Sequence, residues 1–181
     1  MKYLKGCLIS IIGCVILIII LFFFYKNDVI SNLKTKEETV ETSWKKYVQI
    51  IKKRNSKLKE QNLENDSLKY FVDKSDKIEV REFSTEFEFI EYKIDRILNK
   101  EKNVIEYNND LNENVSIYNQ AVRDYNRYRG TFPNFFIAKK ANCRKSFEYS
   151  DIVIYGIENQ NPKIKRAKIA YWIENGGDFP K

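Results

Sequence analysis

Histidine is absent from the 181 residues, which removes the side chain most used as a general base at neutral pH and as a metal ligand. Cysteine is scarce: Cys7 and Cys14 sit in one apolar run and Cys143 far downstream. That spacing builds neither a CxxC pair, nor a zinc cluster, nor a disulfide framework. Between Asp28 and Arg129 there is no glycine and no proline, which strongly disfavours a turn-rich β architecture and predicts helix. A phosphate-binding glycine loop, a nucleophile elbow and a spaced carboxylate pair are missing as well. The expectation is therefore a protein that is not an enzyme, with no catalytic residues, cofactor, metal or small-molecule substrate.

What is present begins with charge. Lys and Arg number 32 against 25 Asp and Glu, a formal net charge of +7 and a pI ≈ 9.1. Acidic residues interleave with the basic ones along the chain, so nucleic acid is not an expected partner. The excess reads first as a lysine-rich solvated surface and permits contact with anionic lipid. The length suits one modest domain plus an anchor.

From Cys7 to Tyr25 runs CLISIIGCVILIIILFFFY, about 19 uncharged residues that span roughly 28 Å as a helix and match the bilayer hydrocarbon. The run is longer than a signal-peptide core and ends in Phe22, Phe23, Phe24 and Tyr25 rather than in small residues, so it reads as a retained transmembrane anchor, residues 1–27. Ile11, Ile12, Gly13 and Cys14 loosely resemble a lipoprotein processing box, but the greasiest stretch follows Cys14, and two thiols within a membrane helix is the better reading. Lys2 and Lys5 precede the run, and Lys26, Lys34 and Lys36 follow it. The charge count leaves the orientation, and hence the side of the soluble part, open.

Beyond the anchor, Leu33, Val40, Trp44, Tyr47, Ile51 and Leu58 recur at spacings of three, four or seven, one stripe of a first helix continuous with the membrane span. A second stripe contains Phe83, Phe87, Ile90, Ile94, Ile97, Val104, Leu111, Val115, Tyr118, Val122 and Tyr125, interrupted by Glu101 and Asn108. These positions predict a coiled-coil-like helix of about 45 residues, opened by a capping box at Thr85 and Glu88 and stopped by Gly130 and Pro133. Residues 61–82 make the return, with Asn65 or Asp66 capping a short helix through Leu68, Phe71 and Val72. The predicted fold class is all-α: an N-terminal transmembrane helix followed by an antiparallel long-helix bundle of three to four helices. Phe135 to Ala138 form an apolar patch expected to tuck against the bundle end. In the tail, residues 141–181, Asp151 to Tyr155 (DIVIY) is strand-like, Asn161 and Pro162 resemble N-cap and N1, and residues 164–173 are balanced between helix and strand.

One segment carries a resemblance. Tyr118, Asn119, Ala121, Val122, Arg123, Asp124, Tyr125 and Asn126, followed by Phe132, Pro133 and Ala138, read YNxAVRDYN…FPxxxxA, and Val40 with Trp44 form a VxxxW element early in the first helix. The pattern resembles the LemA family of bacterial membrane proteins over roughly residues 10–140. It implies a single-pass protein of the bacterial cell membrane, with a LemA-like bundle over residues 28–140 and no shared catalytic activity. The family's basic element before a proline is reduced here to KRNSKL at 53–58, without the proline and aspartate. The candidate interaction residues are Tyr118, Asn119, Tyr125, Asn126, Phe132, Pro133, Trp44 and Trp172. The two tyrosines, seven apart, read first as core rings with hydroxyls at a polar edge.

The function expected from this is a membrane-anchored, non-enzymatic scaffold or interaction protein of the envelope. Its partners would be the bilayer through residues 7–25 and an unidentified protein or another copy of itself. The alternative is a membrane-surface or anionic-lipid-binding protein acting through a basic aromatic tail, in which Lys163, Lys165, Arg166 and Lys168 stand beside Ile164, Ile169, Tyr171 and Trp172.

Overall fold

The computed structural model describes residues 2–61, 65–78, 82–100, 108–152 and 154–176, with side chains from residue 12 onward. Among them are six helices and no strand: α1 Lys2–Glu60, α2 Asp66–Lys77, α3 Thr85–Lys100, α4 Asn108–Gly130, α5 Asn134–Lys140 and α6 Pro162–Asn175. One helix, α1, carries both the charge-free run and the first apolar stripe, and its N-terminal part is long and apolar enough to cross a membrane. Ile12 and Val15 to Phe24 present their side chains outward on every face, as a span surrounded by lipid requires.

Local signals chose the helix ends. Asn65, rather than Asp66, caps α2, its side chain accepting from Leu68 N–H at 3.0 Å. Asn161 caps α6 by accepting from Lys163 N–H at 3.0 Å, and Pro162 takes the first helical position, where its missing N–H costs nothing. The open choice for residues 164–173 is settled as helix, which ends at Gly176 with a positive φ of 71°. The capping box at Thr85 is not formed. Ser84 takes the cap, its Oγ accepting from Phe87 N–H at 3.4 Å, and the Glu88 carboxylate turns inward to other partners.

The expected helix of about 45 residues is corrected. The rings of Phe83 and Tyr118 stack with centroids 6.4 Å apart, whereas one continuous helix would separate them by about 50 Å at about 1.5 Å per residue. The heptad frame ran through because α3 and α4 each bury a stripe in the same phase. Glu101 and Val104 lie outside the described residues, and Asn108 opens α4.

Two compact units divide the chain. The first comprises residues 1–38 and 124–147. Its core gathers Val29 and Leu33 of α1, Tyr125 of α4, Ile137 and Ala138 of α5, and Phe147. Of the apolar patch, Ile137 and Ala138 are buried as expected, while Phe136 is exposed. Asn134 is buried here, its amide donating to Tyr128 O at 3.0 Å and its oxygen accepting from the Tyr25 hydroxyl at 2.6 Å.

The second unit comprises residues 39–123 and 148–181. Its apolar floor is Leu58, Leu68, Val72, Ile90, Ile94 and Leu98, where α2 packs on α3. Each such side chain taken from water contributes about 1.5–3 kcal/mol. Lys59 ties α1 to α2 by ion pairs to Asp73 at 2.9 Å and Asp76 at 2.8 Å. These are half-exposed pairs of small net worth. Beside this floor, Trp44 lies among Tyr47, Phe83, Phe87 and Tyr118, with centroids 5.0–6.0 Å away.

Candidate functional site

Helix α4 holds asparagines at 112, 119 and 126, a spacing of seven that returns them to one helix face. Each grips the backbone of the non-helical segment that follows α5. In the second unit, Asn119 donates to Ser150 O at 3.1 Å and accepts from Ser150 N–H at 2.8 Å. Asn112 does the same to Tyr155, donating at 3.4 Å and accepting at 2.5 Å. As the helix is read backward the bonded segment advances, so the segment runs counter to α4. In the first unit, Asn126 donates to Phe147 O at 2.9 Å and accepts from Phe147 N–H at 3.0 Å. A primary amide carries one acceptor and one donor side by side, so it replaces the partner that a neighbouring strand would supply. This is why the strand-like DIVIY forms no strand among the described residues: its flanking main-chain groups are already paired to asparagines.

The tyrosine that precedes two of these asparagines adds a second bond. Tyr118 donates to Glu148 O and Tyr125 to Arg144 O, each at 2.7 Å. Burial pushes the Tyr125 phenol up to about 12, so it stays a neutral donor. These four candidate residues are thus placed on one helix and act on main chain, the two tyrosines as core rings with hydroxyls at a polar edge. An Asn126→Ala variant leaves both Phe147 groups unpaired and is expected to lose about 1–3 kcal/mol for each. Asn126→Asp, isosteric but without the amide donor, sets a carboxylate oxygen against Phe147 O and is expected to be no better. Urea unfolding of the full chain in detergent, followed by far-UV circular dichroism, checks both.

Opposite these asparagines in the second unit stands a row of acids on α3. Glu88, buried, accepts from Ser150 Oγ at 3.2 Å and from the Asp151 N–H, and pairs with Arg166 of α6 at 3.0 Å. Arg166 also reaches Glu148 at 3.1 Å and Asp151 at 2.9 Å, and Lys165 reaches Asp151 at 2.9 Å. Seven residues after Glu88, Asp95 accepts from Gly156 N–H at 3.0 Å and Asn159 Nδ2 at 3.1 Å. Gly156 has a φ of 86°, a conformation that favours glycine; an added Cβ would fall 2.7 Å from the Asn108 amide nitrogen, which that side chain could relieve by swinging away. Burial raises the carboxyl pKa of Glu88 and of Asp95, against the pull of their hydrogen bonds.

A third polar node lies between α1, α2 and α3. Arg54, 1% exposed, meets the fully buried Glu91 at 2.9 Å. Arg54 also donates to Asn55 at 2.7 Å, and Ser75 donates to Glu91 at 3.0 Å. Asn55 in turn donates to Ser75 at 3.1 Å and Asp76 at 3.0 Å. Burial opposes the Arg54 charge but Glu91 outweighs it, so the guanidinium pKa lies above its ordinary value. Nearby, Tyr47 and Tyr155 share a hydrogen bond between their hydroxyls, and burial raises both phenols.

Sequence reasoning singled out Tyr118, Asn119, Tyr125 and Asn126 as candidates; it did not single out Asn112, Glu91 or Asp95, and it read Glu88 as a capping residue, Arg54 as part of KRNSKL and Arg166 as a tail cation. The period of seven in the asparagines was a visible signal; nothing in the order of residues marked Glu88 and Glu91 as inward-facing. Trp44 is a core residue, Trp172 is half-buried on α6, and Phe132 and Pro133 lie between α4 and α5, in the first unit. Among the described residues no group of three or more Cys, Asp or Glu is arranged to hold a metal.

Compared with family models, with curated proteins and with solved structures, the chain matches none.

Proposed function

We propose that the chain is a single-pass protein of the bacterial cell membrane, of the LemA type, whose helices α1 to α4 form an antiparallel bundle. The bundle serves as a non-enzymatic scaffold or interaction module. The observation that carries this reading is the direction of four polar groups: the tyrosines and asparagines of the YNxAVRDYN segment bond to the chain's own backbone. Chemistry-bearing side chains consumed in this way hold a shape and are not presented to a substrate. Among its charged surface the second unit also presents Tyr70, Tyr149, Ile164, Tyr171 and Ile173 outward, residue types that suit a protein partner or another copy.

The alternative, anionic-lipid binding through the C-terminal tail, is less favoured by the ion pairs. Lys165 and Arg166 are committed to Asp151, Glu88 and Glu148, which takes two of the four tail cations away from a headgroup layer.

The scaffold reading predicts that the full chain stays in the membrane pellet after alkaline carbonate extraction. It also predicts that a photo-crosslinker replacing exposed Tyr171 captures one discrete protein adduct. Release into the supernatant overturns the anchor. Turnover of chromogenic ester, phosphate, peptide or glycoside substrates by the purified chain overturns the non-enzymatic role.

A further inference from the structure

The turn between α4 and α5 and the first turn of α5 carry three phenylalanines in mutual contact: Phe135 and Phe136 at 3.8 Å between centroids, Phe132 and Phe136 at 6.1 Å, and Phe132 and Phe135 at 6.5 Å. Burial of such rings is the rule, yet Phe132 is 75% and Phe136 52% exposed. Their neighbour Asn134 is held from two sides. Its amide donates to Tyr128 O and its oxygen accepts from the hydroxyl of Tyr25, the residue that closes the charge-free run of α1. The hydrogen bond at 2.6 Å therefore fixes the height of the ring cluster at the end of the membrane-crossing segment. Tyrosine at such an end marks the level where hydrocarbon gives way to headgroups. Lys139 and Lys140 extend from the end of α5 and Lys26 follows Tyr25 in α1, so cations accompany the rings as an anionic headgroup layer favours.

We propose that Phe132, Phe135 and Phe136 form an aromatic wedge that enters the lipid surface beside α1, giving the protein a second membrane contact. The inference rests on the anchor reading and goes beyond it. The occupant of the exposed rings is lipid, because their neighbour Asn134 is hydrogen-bonded to Tyr25, where a charge-free run with outward-facing apolar side chains on every face gives way to charged residues. With two points of contact, the rotation and tilt of α1 are set by the wedge, which a lone apolar helix cannot set for itself. Pro133 and Asn134 shape the turn, and the rings supply the contact. This gives the FPxxxxA part of the motif a role separate from that of its YNxAVRDYN part.

The test uses the full chain, with Cys7, Cys14 and Cys143 changed to serine, in vesicles containing phosphatidylglycerol. A nitroxide is attached through Phe132→Cys or Phe136→Cys, and its collision rates with oxygen and with a water-soluble nickel chelate are compared with those of Leu21→Cys and Lys52→Cys. The expected result is an oxygen-to-nickel ratio at both ring positions several times that at Lys52→Cys, close to that at Leu21→Cys. Because both rings are exposed, these substitutions leave the fold unchanged, which circular dichroism verifies. Ratios at 132 and 136 equal to that at Lys52→Cys, with Leu21→Cys still reading lipid, overturn the wedge and leave the anchor standing. A water-like ratio at Leu21→Cys as well overturns both.

Discussion

Replacing Arg54 with alanine is expected to destabilise the second unit by about 3–5 kcal/mol, because Glu91 would remain buried without its counter-charge. Arg54 and Glu91 are among the most deeply buried side chains of the protein. The pair is held at 2.9 Å inside a network that includes Asn55, Ser75 and Asp76. Burial raises the Glu91 carboxyl pKa and Arg54 opposes the rise, so without Arg54 the buried carboxyl loses the partner that offsets its desolvation. The Arg54→Met, Glu91→Leu double variant is expected to recover much of that loss, since an apolar pair carries no desolvation cost. Arg54→Lys keeps the charge without the planar fork and is expected to fall between them. Denaturant midpoints of the full chain in detergent, compared across the three variants, check the order. A double variant no more stable than Arg54→Ala would mean that the node is held by its neutral hydrogen bonds instead of by the charge pair.

Much of this was legible before the structure. The stripe Leu33, Val40, Trp44, Tyr47, Ile51 and Leu58 is buried throughout, because a heptad spacing states which face of a helix meets the core. Asn161 with Pro162 announced α6, since a cap and a proline at the first position have few other uses. The phase of α3 and α4 was visible and their separation was not: two separate helices can keep one heptad phase along the chain. Phe147, Ile152 and Tyr155 are buried, although the segment they belong to read as a tail. Its order comes from Asn112, Asn119, Glu88 and Asp95, residues more than thirty positions away, and pairing at that range leaves no local period. KRNSKL lacked the family's proline and aspartate, and its Arg54 and Asn55 turn out to sit at the centre of a buried node. A motif's departure from a pattern did not mark a loss of structural importance.

Trp44→Ala is expected to cost about 3–5 kcal/mol, as large-to-small changes at a well-packed core site do. The indole touches four rings, Tyr118 at 5.0 Å, Tyr47 at 5.6 Å, Phe83 at 5.7 Å and Phe87 at 6.0 Å. These come from three helices and the turn before α3, so a cavity here unseats several elements at once and has little room to collapse. Trp44→Phe separates packing from polarity. The indole Nε1 is buried without a hydrogen-bond partner, an uncompensated polar group that phenylalanine lacks. Relief of that penalty offsets part of the lost volume, and the expected cost is below about 1.5 kcal/mol, in the range of conservative core swaps. Thermal unfolding of the full chain in detergent measures both variants. A Trp44→Phe cost as large as that of Trp44→Ala would show that the N–H is satisfied in solution, by water reaching the ring cluster.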